Sequence, residues 1–245
     1  MAGTAKLYYI WNFFEKIEPA GFVGAWLQAG KYVQRNKDYI STQLHRNLNP
    51  NGAFKYINHA AFDGLTFEAF QQGKPSETWI KMTKEASAII QVAYPGGYTE
   101  IATNTGKPLG PWLPKDDKGV FIVTSFKAAD ENDAKLQETF EKDWMESSGA
   151  NFIIQKAPKD LGISHLGLYK KFTARPGLKY VLRAELEGVG EDSEAARSFL
   201  SQLKAFKFPD YFERVDTDLY RADPDHIVFP EAGKKDLPEG YSYKP

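Results

Sequence analysis

The chain of 245 residues suits either one large core or two modest domains of roughly 100 residues each. Its 31 basic and 32 acidic side chains give a formal net charge of -1, so nothing draws the whole chain to nucleic acid or to an anionic membrane. The absence of cysteine excludes disulfides, thiolate catalysis, zinc fingers and iron–sulfur clusters, and no apolar run approaches the roughly 20 residues of a membrane helix. The N-terminal MAGTAK lacks signal-peptide features, so a cytoplasmic protein is expected.

The first predicted strand is LYYIWNFF, residues 7–14, in which apolar side chains occupy both faces and only Asn12 is polar. Asn12 is either an amide near a strand end whose hydrogen bonds are satisfied within the protein or a polar group inside a ligand pocket. The first interpretation is slightly favoured. After Pro19, apolar residues at four- and three-residue steps predict an amphipathic helix that ends near Asn36.

A β-hairpin follows, with STQLHRNL and AFKYINHAAF on either side of a turn rich in Asn, Pro and Gly. Two helices are predicted next, at 65–72 and 76–86. The segment IIQVAYPGGYTEIAT is predicted as a strand with an interruption at its Pro-Gly-Gly sequence. The order of elements in residues 1–106 is therefore βαββαβ.

Residues 107–118 are rich in Gly, Pro and charge and are predicted to link two domains. The same order of elements recurs in 119–222, with the turn Arg175-Pro176-Gly177 between its middle strands. The last segment, 223–245, holds four of the 14 prolines and is predicted to be an extended arm.

The predicted fold class is α+β, with two ferredoxin-like βαββαβ repeats in one chain. In such a unit the helices cover one face of the sheet and leave the other face open. Because the strands are apolar on both faces, we expect the two open faces to pack against each other within one chain.

Residues 41–73 carry the sequence STQLHRNLNPNGAFKYINHAAFDGLTFEAFQQG, which resembles the antibiotic biosynthesis monooxygenase family; together with the Asn12 strand the match covers residues 7–72. The resemblance implies a dimeric α/β-barrel, here built within one chain. The second half is only loosely similar. The matching positions are Leu44, His45, Arg46, Asn49, Pro50, Phe54, Asn58, Ala60, Phe62, Glu68, Ala69 and Phe70.

The resemblance implies oxidation of a flat, polyketide-like aromatic molecule without a bound cofactor, in a pocket between the sheet and its helices. The implied catalytic residues are Asn12 and Asn58, whose amides would hold a phenolate or carbonyl. Alternation along the strand places Tyr56, Asn58, Ala60 and Phe62 on one face. The implied substrate-binding residues are Trp26, Phe62, His45 and Tyr56, although packing is the commoner role of a histidine such as His45 and of an aromatic residue such as Tyr56.

Several departures from the family favour an alternative, a ligand-binding or scaffold protein without turnover. Phe62 stands where active members commonly carry Trp. Gln71 and Gln72 stand where the haem-degrading branch has a His ligand, so haem is not expected. The second half lacks the Asn pattern, and Arg183 and Glu185 lie on the corresponding strand.

No metal site is predicted, because His165 and His226 have no ligand spacing. A small aromatic partner is expected, nucleic acid and membrane are not, and association into a homo-oligomer is left open.

Overall fold

A computed structural model describes residues 6–71, 73, 75–108, 110–111, 118–128, 130, 132–174, 177–207 and 212–243. We refer to residues 6–108 as the first half and to 118–228 as the second half. Most of the predicted linker and residues 175 and 176 of the predicted turn lie outside the described residues. Within the described part of the chain, no helix has the length and apolar character needed to cross a membrane.

The two halves contain their strands and long helices in the same order. The elements of the first half are β1 (Tyr8–Ile17), α1 (Pro19–Val33), β2 (Tyr39–Asn47), β3 (Tyr56–Phe62), α2 (Glu77–Ala86) and β4 (Ile90–Thr103). The elements of the second half are β5 (Lys118–Ala128), α3 (Ala134–Lys142), α4 (Trp144–Ser147), α5 (Ala150–Lys156), a 3-10 turn (Lys159–Leu161), β6 (Ile163–Lys171), β7 (Tyr180–Gly190), α6 (Glu194–Ala205) and β8 (Phe212–Val228).

The strands form one closed antiparallel barrel in the order β1-β3-β2-β8-β5-β7-β6-β4, which returns to β1. Each half contributes four adjacent strands, and the halves join where β2 pairs with β8 and where β4 pairs with β6. The α+β class and the barrel are confirmed. The two sheets do not merely pack face to face as predicted, because their edges are also hydrogen bonded, so each of the eight described strands is paired on both sides.

The barrel interior is the apolar core that was predicted from strands with apolar side chains on both faces. Alternation along β1 sends one set of side chains inward and the other set outward toward the helices. The buried residues of this interior core are Leu7, Tyr9, Trp11, Phe13, Ile40, Phe54, Ile57, Ala61, Tyr98, Phe121, Val123, Tyr169, Leu178, Val181, Tyr220 and Ala222.

Two predicted features of the first half differ from the structure. Residues 65–71 form turns rather than a helix, and they hold Phe67 against the sheet. β4 runs through its Pro-Gly-Gly sequence without interruption, since Asn12 of β1 pairs with Pro95 and Ile10 pairs with Gly97. A strand tolerates Pro where its missing N–H is not needed for the ladder.

Two further differences lie in the second half. The βαββαβ order predicts one helix between β5 and β6, but the structure has three there, α3, α4 and α5. β8 continues to Val228, which pairs with Thr42 of β2, so the first six residues of the predicted 223–245 arm belong to the barrel. Residues 229–243 cover one end of the barrel: Leu237, Tyr241 and Tyr243 pack against the interior core.

Candidate functional site

A cavity of about 1100 Å³ lies on the helix side of the first half, between the outer face of the sheet and helices α1 and α2. We call it the first-half cavity. Its floor is formed by β1, β3 and β4, and its rim includes Phe172, Thr173 and Ala174 from the second half. Most of its lining is apolar, as is usual for small-molecule sites.

Asn12 and Asn58 lie side by side on the floor of this cavity. They are directly opposite each other on the antiparallel strands β1 and β3. Residues so placed have Cβ atoms about 5 Å apart. Ile10 and Ala60 continue the floor on the same face. The alternation of side chains therefore presents two amides within a mostly apolar surface.

The amide of Asn58 is held in one orientation by two donors. Trp26 Nε1 and Thr42 Oγ1 both donate to Asn58 Oδ1, each at 2.7 Å. An indole N–H can only donate, so the atom it contacts is the amide oxygen. Among the described residues nothing accepts from Asn58 Nδ2, and the side of Asn58 that faces the first-half cavity therefore offers N–H donors.

Helix α2 forms the outer wall of the cavity and does not pack on the sheet. None of its residues is buried, although Trp79, Ile80 and Met82 turn toward the cavity. The start of α2 is fixed by a small polar network: Ser76 caps the helix by accepting from Trp79 N at 3.1 Å, and Glu68 accepts from Ser76 N at 2.6 Å. α2 is thus anchored at its N-terminus and separated from the strands along its length.

Tyr32 of α1 completes this anchor by donating to Glu68. This hydrogen bond raises the pKa of the Tyr32 hydroxyl, since ionising Tyr32 beside the carboxylate is unfavourable. The network joins α1, the turn at 65–71 and α2 without occupying the floor of the first-half cavity.

The corresponding space in the second half is filled with side chains. α6 buries Ala196, Phe199, Leu200 and Leu203 against the sheet, whereas α2, the second long helix of the first half, buries none of its residues. Phe140 of α3 packs in the same core. The cavity of about 1100 Å³ therefore lies where the helix layer of the first half stands away from its sheet, whereas α3 and α6 of the second half pack on theirs.

Three of the six predicted site residues line the cavity: Asn12, Asn58 and Trp26. Tyr56 and Phe62 lie on the same sheet face but are used in packing. Tyr56 packs on Phe22, with ring centroids 4.8 Å apart, and Phe62 stacks on Phe67 at 5.3 Å.

The structure places His45 away from the cavity, on the opposite face of the sheet. It is 3% exposed in the barrel interior, where its ring lies 5.4 Å from that of Phe121. Burial, and next the positive charge of Arg183, lower the pKa of His45 to about 3, so the imidazole is neutral. The expectation that His45 contacts the same ligand as Asn58 is therefore corrected.

Sequence reasoning missed two parts of the cavity. Thr42 has the strand parity of Leu44, whose side chain packs on the helix side, so alternation along the hairpin could have placed Thr42 there. No pattern in the sequence indicated that Phe172 would line the cavity, because its position depends on the pairing of β4 with β6.

The residues of the cavity do not fit a haem group. The described lining residues include no histidine, cysteine or tyrosine, which are the usual proximal ligands of haem iron. Gln71, one of the two residues at the position of the haem-ligating histidine, lines the cavity. The other, Gln72, lies outside the described residues. Within the described ranges, no three His, Cys, Asp or Glu side chains are grouped closely enough to hold a metal ion.

Comparison with known proteins gives a family and a fold. The profile of a family described as "Domain of unknown function (DUF7153)" matches residues 39–209. No curated protein sequence matches the chain. Over 96% of its length the chain is similar in structure to 98% of an anthrone oxidase-like protein, with 15% identity and a TM-score of 0.56.

Two further solved structures are more distant. One is provisionally named a monooxygenase, from Lactobacillus acidophilus NCFM, with 7% identity, a TM-score of 0.44 and coverage of 92% of this chain and 97% of that chain. The other is a variant of chlorite dismutase from Candidatus Nitrospira defluvii, with 13% identity, a TM-score of 0.49 and coverage of 91% and 93%. At such identities a likeness bears on the fold alone.

Proposed function

The chain belongs to the DUF7153 family, and from that premise we propose that it is an oxygenase, or a related small-molecule enzyme, that acts on a flat aromatic molecule in the first-half cavity. The observation that carries the proposal is the floor of this cavity, where Asn58 presents N–H donors from a fixed amide beside Asn12. The cavity is large enough for a molecule of several fused rings.

The amide donors suit a ligand that carries negative charge on oxygen. Donors that are held in place before reaction stabilise charge as it develops, and they do so most strongly where water is excluded. Because Trp26 and Thr42 hold the oxygen of Asn58, its N–H groups do not have to reorient when a phenolate or enolate forms. Trp26 and Ile10 supply the apolar surface for the rings.

The proposed reaction uses the electrons of the substrate. A phenol or enol loses a proton, and the resulting anion transfers an electron to O₂. The two radicals combine to form a carbon–oxygen bond to a peroxide. The peroxide anion takes up a proton from solvent, which replaces the proton lost in the first step. Cleavage of the O–O bond with loss of the hydrogen on the same carbon then gives a new carbonyl, so one oxygen atom enters the product and the other leaves as water. The role of Asn12 and Asn58 is to stabilise the initial anion.

The name of the anthrone oxidase-like protein agrees with this proposal, although its likeness to the chain shows only the fold. It suggests anthrone, a tricyclic ketone that forms an enolate, as the first compound to test. The closer assignment to the antibiotic biosynthesis monooxygenases rests on the sequence pattern around Asn58, since the matching profile has a different name.

We also propose that the two halves are divergent ferredoxin-like repeats. Support comes from their strand orders within the barrel, β4-β1-β3-β2 and β8-β5-β7-β6, which are the same when each half is counted from its own first strand. The domain limits, a cytoplasmic location and a small aromatic partner remain predictions of the sequence.

A non-catalytic binding protein is the second candidate, and one observation favours it. The ionisable side chains in the described lining are two carboxylates, Glu68 and Glu85, and Glu68 already accepts hydrogen bonds from Tyr32 and Ser76. No described lining residue is a histidine, the side chain whose ordinary pKa suits proton transfer near neutral pH.

The test measures oxygen uptake and carbonyl product with anthrone for the full chain and for Asn58→Asp. This change retains the oxygen that accepts from Trp26 and Thr42 but replaces the N–H donors by a carboxylate oxygen. We expect at least a hundredfold loss of turnover, the size typical of removing an oxyanion donor. Phe152→Leu, on the helix layer of the second half, is the matched control.

Binding of anthrone without oxygen uptake in the wild-type protein would favour the binding protein. Neither binding nor uptake, across a panel of tricyclic phenols and ketones, would contradict the proposal. Mass spectrometry of ligand retained through native purification would identify the compound class independently.

A further inference from the structure

The barrel interior contains a polar group on the opposite face of the sheet from the first-half cavity. Gln43, His59 and Trp11 form one cross-strand row on β2, β3 and β1, since Gln43 and Trp11 both pair with His59. Their exposed fractions are 1%, 2% and 1%. Arg183, on β7 of the second half, is also buried in the interior, at 1% exposed.

Several polar atoms of this group have no hydrogen-bond partner among the described residues. They are Trp11 Nε1, both amide atoms of Gln43, His59 Nε2, and Nε and Nη1 of Arg183. The remaining nitrogen, Nη2 of Arg183, donates to Glu185 at 2.9 Å. Native proteins satisfy nearly all buried donors, because an unsatisfied one is strongly destabilising. Ordered water or a bound ligand is expected to supply partners for these atoms.

Donors predominate among these atoms, and this selects the kind of ligand. The Trp11 indole, the Gln43 amide nitrogen and the two Arg183 nitrogens can only donate, while Gln43 Oε1 can only accept. A ligand that meets most of them must be rich in hydrogen-bond acceptors.

The electrostatic environment favours the same choice. Burial lowers the pKa of both His45 and His59, and the positive charge of Arg183 lowers each of them further, so the ion pair with Glu185 does not cancel the charge at the two rings. The titratable groups that face His59 are Tyr9 on β1, His45 on β2, Tyr169 on β6 and Arg183 on β7. Arg183 is in turn paired with Glu185.

We propose that the barrel interior binds a small monovalent anion, which accepts hydrogen bonds from Trp11, Gln43 and Arg183. The ligand is small because the surrounding rings are close: His59 lies 4.4 Å from Trp11, and Arg183 lies 4.5 Å above Phe121. It is monovalent because a single guanidinium, already paired with Glu185, supplies the positive charge. The site does not depend on the function proposed for the first-half cavity.

Bromide is the probe. Crystals of the full chain grown in bromide are expected to show an anomalous peak within hydrogen-bond distance of Trp11 Nε1 or Arg183 Nη1. In solution, the indole N–H resonance of Trp11, assigned with Trp11→Phe, is expected to shift on titration with bromide, and the resonances of the other four tryptophans are expected to move less. Water alone at these positions at high bromide concentration would overturn the proposal.

Gln43→Met removes both amide atoms at similar volume. We expect it to weaken bromide binding about tenfold, the effect of losing one hydrogen bond to a charged group. Gln202→Met, the same change at an exposed position of α6, should leave the affinity unchanged. Equal affinity in the two variants would contradict the assigned site. If Gln43→Met fails to fold, the wild-type crystal experiment still decides the question.

Discussion

Asp216 on β8 has a carboxyl group whose ionisation the fold opposes, so Asp216→Asn is expected to stabilise the protein at neutral pH. Burial, and next the neighbouring carboxylate of Asp218, raise the pKa of Asp216 to about 6. Tyr220 donates to Asp216 Oδ2 at 2.9 Å, which only partly offsets these two effects. An amide at the same position can accept the hydrogen bond from Tyr220 without carrying the charge.

The size of the effect follows from proton linkage. The folded state binds the proton of Asp216 more tightly than the unfolded chain, with a pKa of about 6 against the ordinary 3.8. Its contribution to the free energy of unfolding is therefore complete below pH 3.8 and is lost as the pH rises through 6. The difference between the two values corresponds to at most about 3 kcal/mol.

Urea unfolding at pH 4 and pH 8 measures this contribution. Relative to wild type, Asp216→Asn should gain about 1 to 3 kcal/mol at pH 8 and little at pH 4. Asp225→Asn, at an exposed position of the same strand, is the matched control for the loss of one carboxylate. If Asp216→Asn gains no more at pH 8 than at pH 4, the proposed environment of this carboxyl group is wrong.

Three further changes test other parts of the structure. Asn58→Leu leaves the Trp26 indole without its acceptor and should lower the free energy of unfolding by about 1 to 3 kcal/mol in urea denaturation, whereas Asn58→Asp should cost less. Gly52→Ala places a Cβ 2.2 Å from the Asn47 amide nitrogen and should lower the melting temperature measured by calorimetry. Gly24→Ala, in α1, places a Cβ with no atom within 4 Å and should raise the melting temperature, because alanine is the better helix former. The reverse order of melting temperatures would contradict the geometry. In the folded state the pKa of His45 is about 3, so its contribution to the free energy of unfolding is complete above its ordinary pKa of 6.5 and is lost as the pH falls. His45→Phe should therefore make the free energy of unfolding, followed by fluorescence, less sensitive to acid. An unchanged pH profile would refute this.

The sequence predicted the order of the elements and the faces of the strands, because both depend on local periodicity. The two-residue period of β1 groups Asn12 with Ile10, and that of β3 groups Asn58 with Ala60. The structure places both groups on the helix side, in the lining of the first-half cavity. The same rule places His59, the neighbour of Asn58 along β3, on the interior face, where its ring contacts that of Trp11. The roles of these residues in chemistry remain predictions.

The structure adds features that depend on distant contacts. The pairing of Val228 with Thr42, which lengthens β8, joins residues far apart in the chain. The sequence also did not indicate that α2 stands away from the sheet, because α2 and α6 are both amphipathic and differ only in their packing. The placement of His45 was ambiguous because a histidine is compatible with either face of a strand.

Building both halves of the barrel from one polypeptide removes a symmetry constraint. In a homodimer, every substitution appears twice, at positions related by the two-fold axis. A cavity opened beside one copy of Asn58 would then open beside the other, and both helix layers would lose packing. Here the layer around Phe199 can contribute to stability while the layer around Asn58 gives up contacts and leaves a cavity. Single-chain construction thus lets one half keep a packed helix layer while the other half holds a cavity.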